Sequence, residues 1–359
     1  MELEIRKCRD SVVGRKLSPS PNNMGGYEPI ALLAPDLNVL EGSDISKLDG
    51  GMNANISLYI NYEEKILESD LVYFVNGERF QNIKFYTKLV EYAKKIDKEV
   101  IMSNDVARLL ELEPSQLTIN AEEKIFDDIV IAPKLLPIEI PVISIFTIGK
   151  KCGQVQTEFL ARKYFLSKGY NVMQIGSHDF MRVVGCLSIP DFMFDSTIDP
   201  LEKTLKLNRF IHKYIVMEKP DIILIGVPHP VMKYNDSNLN GLGIFPFIIQ
   251  NAIRSDVGII NLHFGDYTAD FLEEVRRFCK YRLDVDTRYF GISNTSVLKD
   301  VDDPTKLEYL YLTTDFVKSN LISGIGEDQF VVFSAFNEED ASRAFQKIEN
   351  ELQANPEQL

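Results

Sequence analysis

Residues 148–157 carry glycines, lysines, a cysteine and a threonine directly after an apolar run, a composition typical of a phosphate-binding loop. The segment reads Ile-Gly-Lys-Lys-Cys-Gly-Gln-Val-Gln-Thr and follows Val-Ile-Ser-Ile-Phe-Thr. Such loops bind anions through inward-turned backbone N–H groups and through the positive end of the following helix. The segment therefore predicts a strand, a tight loop and a helix whose start faces a phosphate.

The loop departs from the consensus G-x-x-x-x-G-K-[ST] where that consensus does chemistry. With Gly153 as its second glycine, the first glycine, the lysine and the hydroxyl residue are replaced by Ile148, Gln154 and Val155. The consensus lysine binds the β- and γ-phosphates, and the hydroxyl holds Mg²⁺. These losses disfavour efficient NTP hydrolysis, and they leave open whether the chain is an enzyme.

Nucleotide binding requires less than hydrolysis. The loop glycines can form the close turn, and Lys150 or Lys151 can bring an ammonium group to a phosphate from within the loop. ATP or GTP with Mg²⁺ is therefore the predicted cofactor, and a plain strand-to-helix turn is the alternative. The predicted nucleotide-binding residues are Gly149, Lys150, Lys151, Cys152, Gly153, Gln154, Val155, Gln156 and Thr157.

Three of the four histidines follow predicted strands, namely His178, His229 and His263. Ligands bind beyond the carboxyl ends of parallel strands, so we expect these side chains to face the loop that holds Cys152. Imidazole and thiolate bind transition metals such as Zn²⁺, and imidazole transfers protons near neutral pH. His229 and His178 are thus candidate catalytic residues. The candidate ligands of an unidentified metal are His178, His229, His263 and Cys152. Capping of strand ends by the histidines is the alternative.

The elements that would position these residues alternate between apolar strands and helices, which predicts parallel strands covered on both faces. The predicted strands lie at 142–148, 171–176, 221–227 and 258–262, and the predicted helices at 155–168, 201–218, 247–254 and 269–281. Earlier strands are predicted at 30–34, 71–75 and 99–102, with helical spacing at 85–96.

The predicted fold class is α/β, with an N-terminal α/β domain, a doubly wound parallel sheet that carries the loop at 148–157, and a C-terminal α/β extension. Three prolines within 133–141 favour a boundary there. The corresponding segments are an irregular lead-in at 1–27, then 28–138, 139–285 and 286–359. Whether residues 286–359 extend the same sheet or form a separate lobe is left open.

Composition narrows the range of partners. A net charge of −14 over 359 residues argues against a nucleic-acid partner, because duplex affinity depends on basic side chains. No apolar run approaches the roughly 18 residues of a membrane span, so no membrane partner is expected. The four cysteines lack paired spacing, which favours reduced thiols and a cytoplasmic location.

Four phrases carry a resemblance to a known family: Gly-Gly-Met at 50–52, Val-Met-Gln-Ile-Gly-Ser at 172–177, Lys-Pro-Asp-Ile-Ile-Leu-Ile-Gly at 219–226 and Tyr-Phe-Gly-Ile-Ser-Asn at 289–294. Together they resemble the maturation-system proteins encoded beside Cys-rich ribosomal peptides and radical SAM maturases in clostridia. The early loop lysines also resemble the deviant P-loops of dethiobiotin-synthetase-like NTPases. Gln154 departs from the Gly-Lys that the maturation family carries.

The resemblance implies a Rossmann-like domain joined to a P-loop NTPase-like domain, and an accessory role in maturing a ribosomally made peptide natural product (RiPP biosynthesis). The implied partners are the precursor peptide and its modifying enzyme. One alternative is an enzyme that uses the His/Cys crevice for ATP-dependent or metal-assisted chemistry on a peptide. A second is a structural subunit of a homo-oligomer whose acidic surface docks a basic leader peptide.

Overall fold

The computed structural model describes residues 11–16, 27–33, 40–44, 47, 55–74, 83–102, 107, 110–112, 134–178, 181, 185–299, 307–321 and 329–354. The chain divides into two compact units: residues 1–128 with 179–185, and residues 129–178 with 186–359. Over the described residues, none of the helices has the length and apolar character needed to cross a membrane.

Among the described residues, the first unit is built on a five-stranded mixed sheet. Its elements are β1 (Ser11–Lys16), β2 (Tyr27–Leu33), β3 (Ser57–Tyr59), α1 (Tyr62–Glu68), β4 (Leu71–Phe74), α2 (Ile83–Lys95) and β5 (Glu99–Met102). The strand order is β3-β2-β1-β4-β5, and β1 runs antiparallel to both of its neighbours. The other four strands share one direction, since β2 pairs with β3 and β4 with β5 in parallel.

The predicted helical spacing at 85–96 corresponds to α2. Its buried side chains Tyr86, Leu89, Val90 and Ala93 recur at intervals of three or four residues, because a helix turns once every 3.6 residues. They pack on the sheet, where the Tyr86 ring meets the Phe74 ring edge-on with centroids 6.2 Å apart. The strands predicted at 30–34, 71–75 and 99–102 match β2, β4 and β5.

The irregular lead-in predicted for residues 1–27 is wrong for residues 11–16, which form β1. The prediction followed the Pro-, Ser- and Gly-rich stretch beside it, whereas Val12 and Val13 carry the β-branched side chains that favour strands. Because β1 inserts between two strands that come later in the chain, its position depends on long-range pairing. The remainder of 1–26 lies outside the described residues.

In the part of the second unit that the structure describes, seven strands form one sheet in which every neighbouring pair is parallel. These strands are, in chain order, β6 (Val142–Thr147), β7 (Val172–Gly176), β8 (Leu187–Ser188), β9 (Ile222–Gly226), β10 (Val257–Leu262), β11 (Tyr289–Ile292) and β14 (Val331–Ser334). Their spatial order is β14-β11-β10-β6-β9-β7-β8. All residues of β6, β9 and β10 are buried, as expected for strands covered on both faces. The predicted α/β fold with a parallel sheet is confirmed.

Six helices of the described residues cover this sheet: α3 (Gln154–Ser167), α4 (Pro200–Glu218), α5 (Ile244–Ile253), α6 (Ala269–Leu283), α7 (Thr314–Asn320) and α8 (Glu338–Ala354). α3 and α8 share one core with the sheet, in which Phe165 and Phe345 are fully buried. α4, α5 and α6 pack against one another in succession. α4 begins where the Asp199 carboxylate accepts a hydrogen bond from the backbone N–H of Leu201, with Pro200 in the first turn.

The described part of 286–359 extends the same sheet, because β11 and β14 continue it outward from β10. Between them, β12 (Thr295–Lys299) and β13 (Leu307–Tyr311) form a separate antiparallel pair. β13 therefore lies outside the main sheet.

The direction of the connections reverses at β6. From β6 the chain passes over β9 to reach β7, whereas from β9 it passes over β6 to reach β10. Connections that leave adjacent strands in opposite directions open a crevice at the carboxyl edge of a parallel sheet. The loop after β6 lies at this crevice.

Candidate functional site

The loop at residues 148–153 joins β6 to α3 through two residues with left-handed backbone, Lys151 (φ 62°) and Gly153 (φ 76°). Gly153 is required for space as well, because a Cβ there would lie 2.8 Å from the Phe336 ring and 3.2 Å from the Cβ of Ser293. No described side chain caps the start of α3. The loop therefore leaves the positive end of a 14-residue helix uncapped at the crevice.

The first half of the loop is a tight turn. The Thr147 hydroxyl donates a hydrogen bond to the backbone oxygen of Gly149 at 2.6 Å and accepts one from the N–H of Gly149 at 3.3 Å. Gly149 also packs directly against the His263 ring. These contacts determine the path of the backbone before the lysines.

The two loop lysines occupy different surroundings. The Lys151 ammonium lies 4.5 Å from the centroid of the Tyr309 ring and 5.7 Å from that of Tyr311, both on β13. This is cation–π geometry. The Lys150 side chain is exposed, and its charge contributes to lowering the pKa of His229. Lys151 is exposed as well, so both loop cations can reach a ligand from solution.

The side chains at two predicted nucleotide-binding positions, Gln154 and Thr157, form hydrogen bonds within the protein. Gln154 is buried, and its Nε2 donates hydrogen bonds to the backbone oxygens of Ile145 and Val227, each at 2.8 Å. The Thr157 hydroxyl donates to Oδ1 of Asn261 at 2.6 Å. Val155 is partly exposed and Gln156 is buried. Gln154 thus ties β6 to β9 instead of extending toward the crevice as a lysine would.

Cys152 and His263 are brought together, with Sγ and Nε2 3.3 Å apart. Nε2 also lies 2.7 Å from the backbone oxygen of Lys150, and because a carbonyl can only accept, this nitrogen carries the proton. Burial raises the pKa of the Cys152 thiol to about 12 and lowers the pKa of His263. Near pH 7 both groups are neutral, so the pair holds the loop and does not form a thiolate nucleophile.

Aromatic and amide groups that sequence reasoning missed complete the surroundings of the loop. Tyr309 and Tyr234 place their ring centroids 5.8 and 6.4 Å from that of His263. The Asn240 amide donates to the backbone oxygen of Ile148 at 3.3 Å and so attaches the polar segment 235–243 to the loop. The available signal was the spacing of Tyr309 and Tyr311, which places both on one face of a strand.

The other two strand-end histidines have separate surroundings. His178 is exposed, with Nδ1 2.8 Å from the Ser177 hydroxyl. His229 has φ 64°, and its ring centroid lies 5.0 Å from that of Phe245 and 6.5 Å from that of Phe194. Partial burial, and secondly the charge of Lys150, lower the pKa of His229. Catalysis by either histidine stays a prediction.

The candidate metal ligands do not assemble into one protein-only site. In the part of the chain that the structure describes, no three His, Cys, Asp or Glu side chains form a group that could hold a metal ion. Cys152 and His263 contact each other, and neither His178 nor His229 joins them in such a group.

A further buried acid, Glu158, lies one turn into α3. Its Oε2 accepts a hydrogen bond from the backbone N–H of Ser177 at 3.1 Å, while Oε1 has no hydrogen-bond partner among the described residues. Burial raises the pKa of Glu158 to about 7, and interactions with Ser177 and with the Gln174 amide oppose part of that rise. The sequence signal for Glu158 was an acidic residue in a turn of α3 whose neighbouring side chains are mostly buried.

No protein-family model and no curated protein matches the sequence. Among solved structures, a DUF1611 family protein from Anabaena variabilis is similar over 89% of this chain and 90% of its own, with 9% identity and a TM-score of 0.57. A plasmid partition protein from Borrelia burgdorferi bound to AMPPNP matches 60% of this chain and 99% of its own, with 13% identity and a TM-score of 0.33. Cobyrinic acid a,c-diamide synthase from Mycobacterium smegmatis, with bound ADP and magnesium, matches 61% and 97%, with 9% identity and a TM-score of 0.35. The first similarity establishes a shared fold and nothing about activity.

Proposed function

We propose that the chain binds a nucleotide through its phosphates at residues 148–153, and that it does so as a cytoplasmic accessory protein in peptide maturation. The observation that carries the proposal is the uncapped start of α3 behind a left-handed loop at the reversal point of the sheet. Backbone N–H groups at a helix start point toward an anion, and the helix dipole favours negative charge there. Lys150 adds a cation at the rim.

Binding without efficient turnover is the mode that these residues support. Gln154 and Thr157 are committed to hydrogen bonds within the fold, and Val155 has no hydroxyl. The loop backbone and Lys150 would therefore supply the affinity, and the nucleotide would act as a ligand that orders the crevice.

Calorimetric titration of ATP, GTP, ADP and GDP, in buffer with EDTA, tests this proposal. We expect Lys150→Ala to weaken binding by at least about tenfold, because a charge-assisted hydrogen bond contributes roughly 1.5–3 kcal/mol. Lys280→Ala is the matched control, since Lys280 lies in the last turn of α6, at the opposite edge of the sheet. Absence of binding by the wild-type chain at millimolar nucleotide, with and without Mg²⁺, would contradict the proposal.

The peptide-maturation setting is supported by the phrases at 172–177, 219–226 and 289–294 and by an exposed aromatic cluster beside Lys150. In this cluster, Phe194 is 52% exposed and stacks on Phe245 with ring centroids 5.1 Å apart, and His229 lies against both. An exposed aromatic surface next to a binding crevice suits an apolar side chain of a peptide.

Fluorescence anisotropy with a labelled precursor peptide tests this setting. Phe194→Ser should weaken peptide binding several-fold, because the exposed ring would supply apolar contact area. Leu166→Ser serves as the control, since Leu166 is 40% exposed near the end of α3, away from the crevice. Equal peptide affinity in the two variants would remove this part of the proposal and leave nucleotide binding untouched.

A further inference from the structure

The strand next to the loop strand ends without an acid. Sheets that bind nucleotide with Mg²⁺ commonly hold the metal through a carboxylate at the end of such a strand. β9 instead reads Ile-Ile-Leu-Ile-Gly and ends at Gly226. Taken alone, this sequence predicts that the carboxylate is missing.

The structure places a carboxylate there from a different element. A Cβ built on Gly226 would lie 2.2 Å from Cδ and Oε2 of Glu158 and 2.3 Å from Oε1. The carboxyl group of Glu158, on α3, therefore occupies the space that a side chain at position 226 would fill. Glycine at the end of β9 makes room for it.

One oxygen of this carboxyl group is unused. Oε2 is held by the backbone N–H of Ser177, whereas Oε1 is buried with no hydrogen-bond partner among the described residues. Both amide atoms of Gln174, on strand β7 beside β9, are likewise buried without a well-formed hydrogen bond, and this amide lies close enough to Glu158 to lower the pKa of its carboxyl group. Buried polar atoms without partners are costly, so a cluster of them indicates a ligand or ion that completes the site.

We infer that Glu158 is a relocated metal ligand, which binds Mg²⁺ together with the phosphates of a nucleotide held by the loop. The inference rests on the proposed nucleotide binding. Mg²⁺ needs only one or two protein carboxylates when phosphate oxygens and waters supply its other ligands, so a single acid fits. When bound, the cation would neutralise phosphate charge beside the carboxylate.

Glu158→Gln tests the inference because it removes the charge and keeps an oxygen that can accept from Ser177. With Mg²⁺, we expect the wild-type chain to bind ATP at least tenfold more tightly than in EDTA, and the variant to gain less than twofold. In EDTA, the variant should bind ATP as tightly as the wild type or more tightly, since repulsion between carboxylate and phosphate is gone. A purely structural role for Glu158 would not reverse the order of the two affinities.

A rescue variant separates charge from packing. Glu158→Ala should lose the Mg²⁺ effect, and combining it with Gly226→Asp should restore it, because the aspartate then projects a carboxylate from β9 into the vacated space. Electron paramagnetic resonance of Mn²⁺ with ATP should report metal bound to the wild type and to the double variant. Thermal unfolding of each variant identifies any that fails to fold.

The outcomes are distinguishable. If the wild type binds ATP but shows no Mg²⁺ effect, or if Glu158→Gln retains the full effect, the inference is overturned and the proposed function stands. If the wild type binds no nucleotide under either condition, the proposed function fails and the inference fails with it.

Discussion

Glu158 differs from every other acid in the described core because its side chain is fully buried and one oxygen lacks a partner. Removing a carboxylate from water favours its protonated form, which is why its pKa rises from 4.5 to about 7. The same burial makes the residue costly when charged.

This cost predicts a pH dependence of folding. The folded chain holds the Glu158 proton more tightly than the unfolded chain, so the stabilisation is present below about pH 4.5 and is lost as pH rises through 7. A shift of this size corresponds to about 3 kcal/mol in the free energy of unfolding. Urea unfolding at pH 5 to 8 should therefore show that Glu158→Gln gains stability over the wild type as pH increases. A stability difference between Glu158→Gln and the wild type that stays constant over this pH range would contradict the prediction, and Glu274→Gln, at an exposed position on α6, is the control.

At the scale of elements, the start of α3 is held to the sheet by a side chain in the consensus lysine position. Gln154 donates to the backbone oxygens of Ile145 on β6 and Val227 just after β9. The loop conformation thus depends on a bridge between two parallel strands.

Gln154→Ala should reduce the free energy of unfolding by about 2 kcal/mol, because it leaves a buried carbonyl of Val227 without its donor. Ile145 is less affected, since its oxygen also accepts from the N–H of Val227 at 2.9 Å. Urea unfolding measures the change, and Gln346→Ala, exposed on α8, is the control. Equal stability in the two variants would show that the bridge contributes nothing.

At the scale of the whole molecule, the acidic balance gives a prediction about partners. A net charge of −14 attracts a basic leader peptide at long range, and salt screens exposed charges over about 10 Å at 0.1 M and about 3 Å at 1 M. Peptide affinity measured by anisotropy should therefore fall steadily as salt rises. Affinity that does not change with salt would instead assign recognition to apolar contacts such as Phe194.

The second unit was largely predictable from sequence because its strands are short apolar runs separated by helical spacing, as in β6, β9 and β10. β1 was not, since one of its two partners, β4, lies far along the chain. The loop at 148–157 was recognisable because its glycines, its lysines and the preceding apolar strand are adjacent in the sequence. The role of Glu158 was not, because only folding brings a helix carboxylate over the glycine that ends another strand.

The tyrosines near the loop, among them Tyr309 and Tyr234, make ligand binding observable by fluorescence. The chain contains no tryptophan, so its near-ultraviolet emission comes from tyrosine. Tyr309 lies against both Lys151 and His263, next to the proposed phosphate position. A ligand that draws the Lys151 ammonium away from this ring would change the emission of Tyr309. The emission of Tyr309 in the wild-type chain can thus report ligand binding at the loop, and the Tyr309→Phe variant would lack this change in emission.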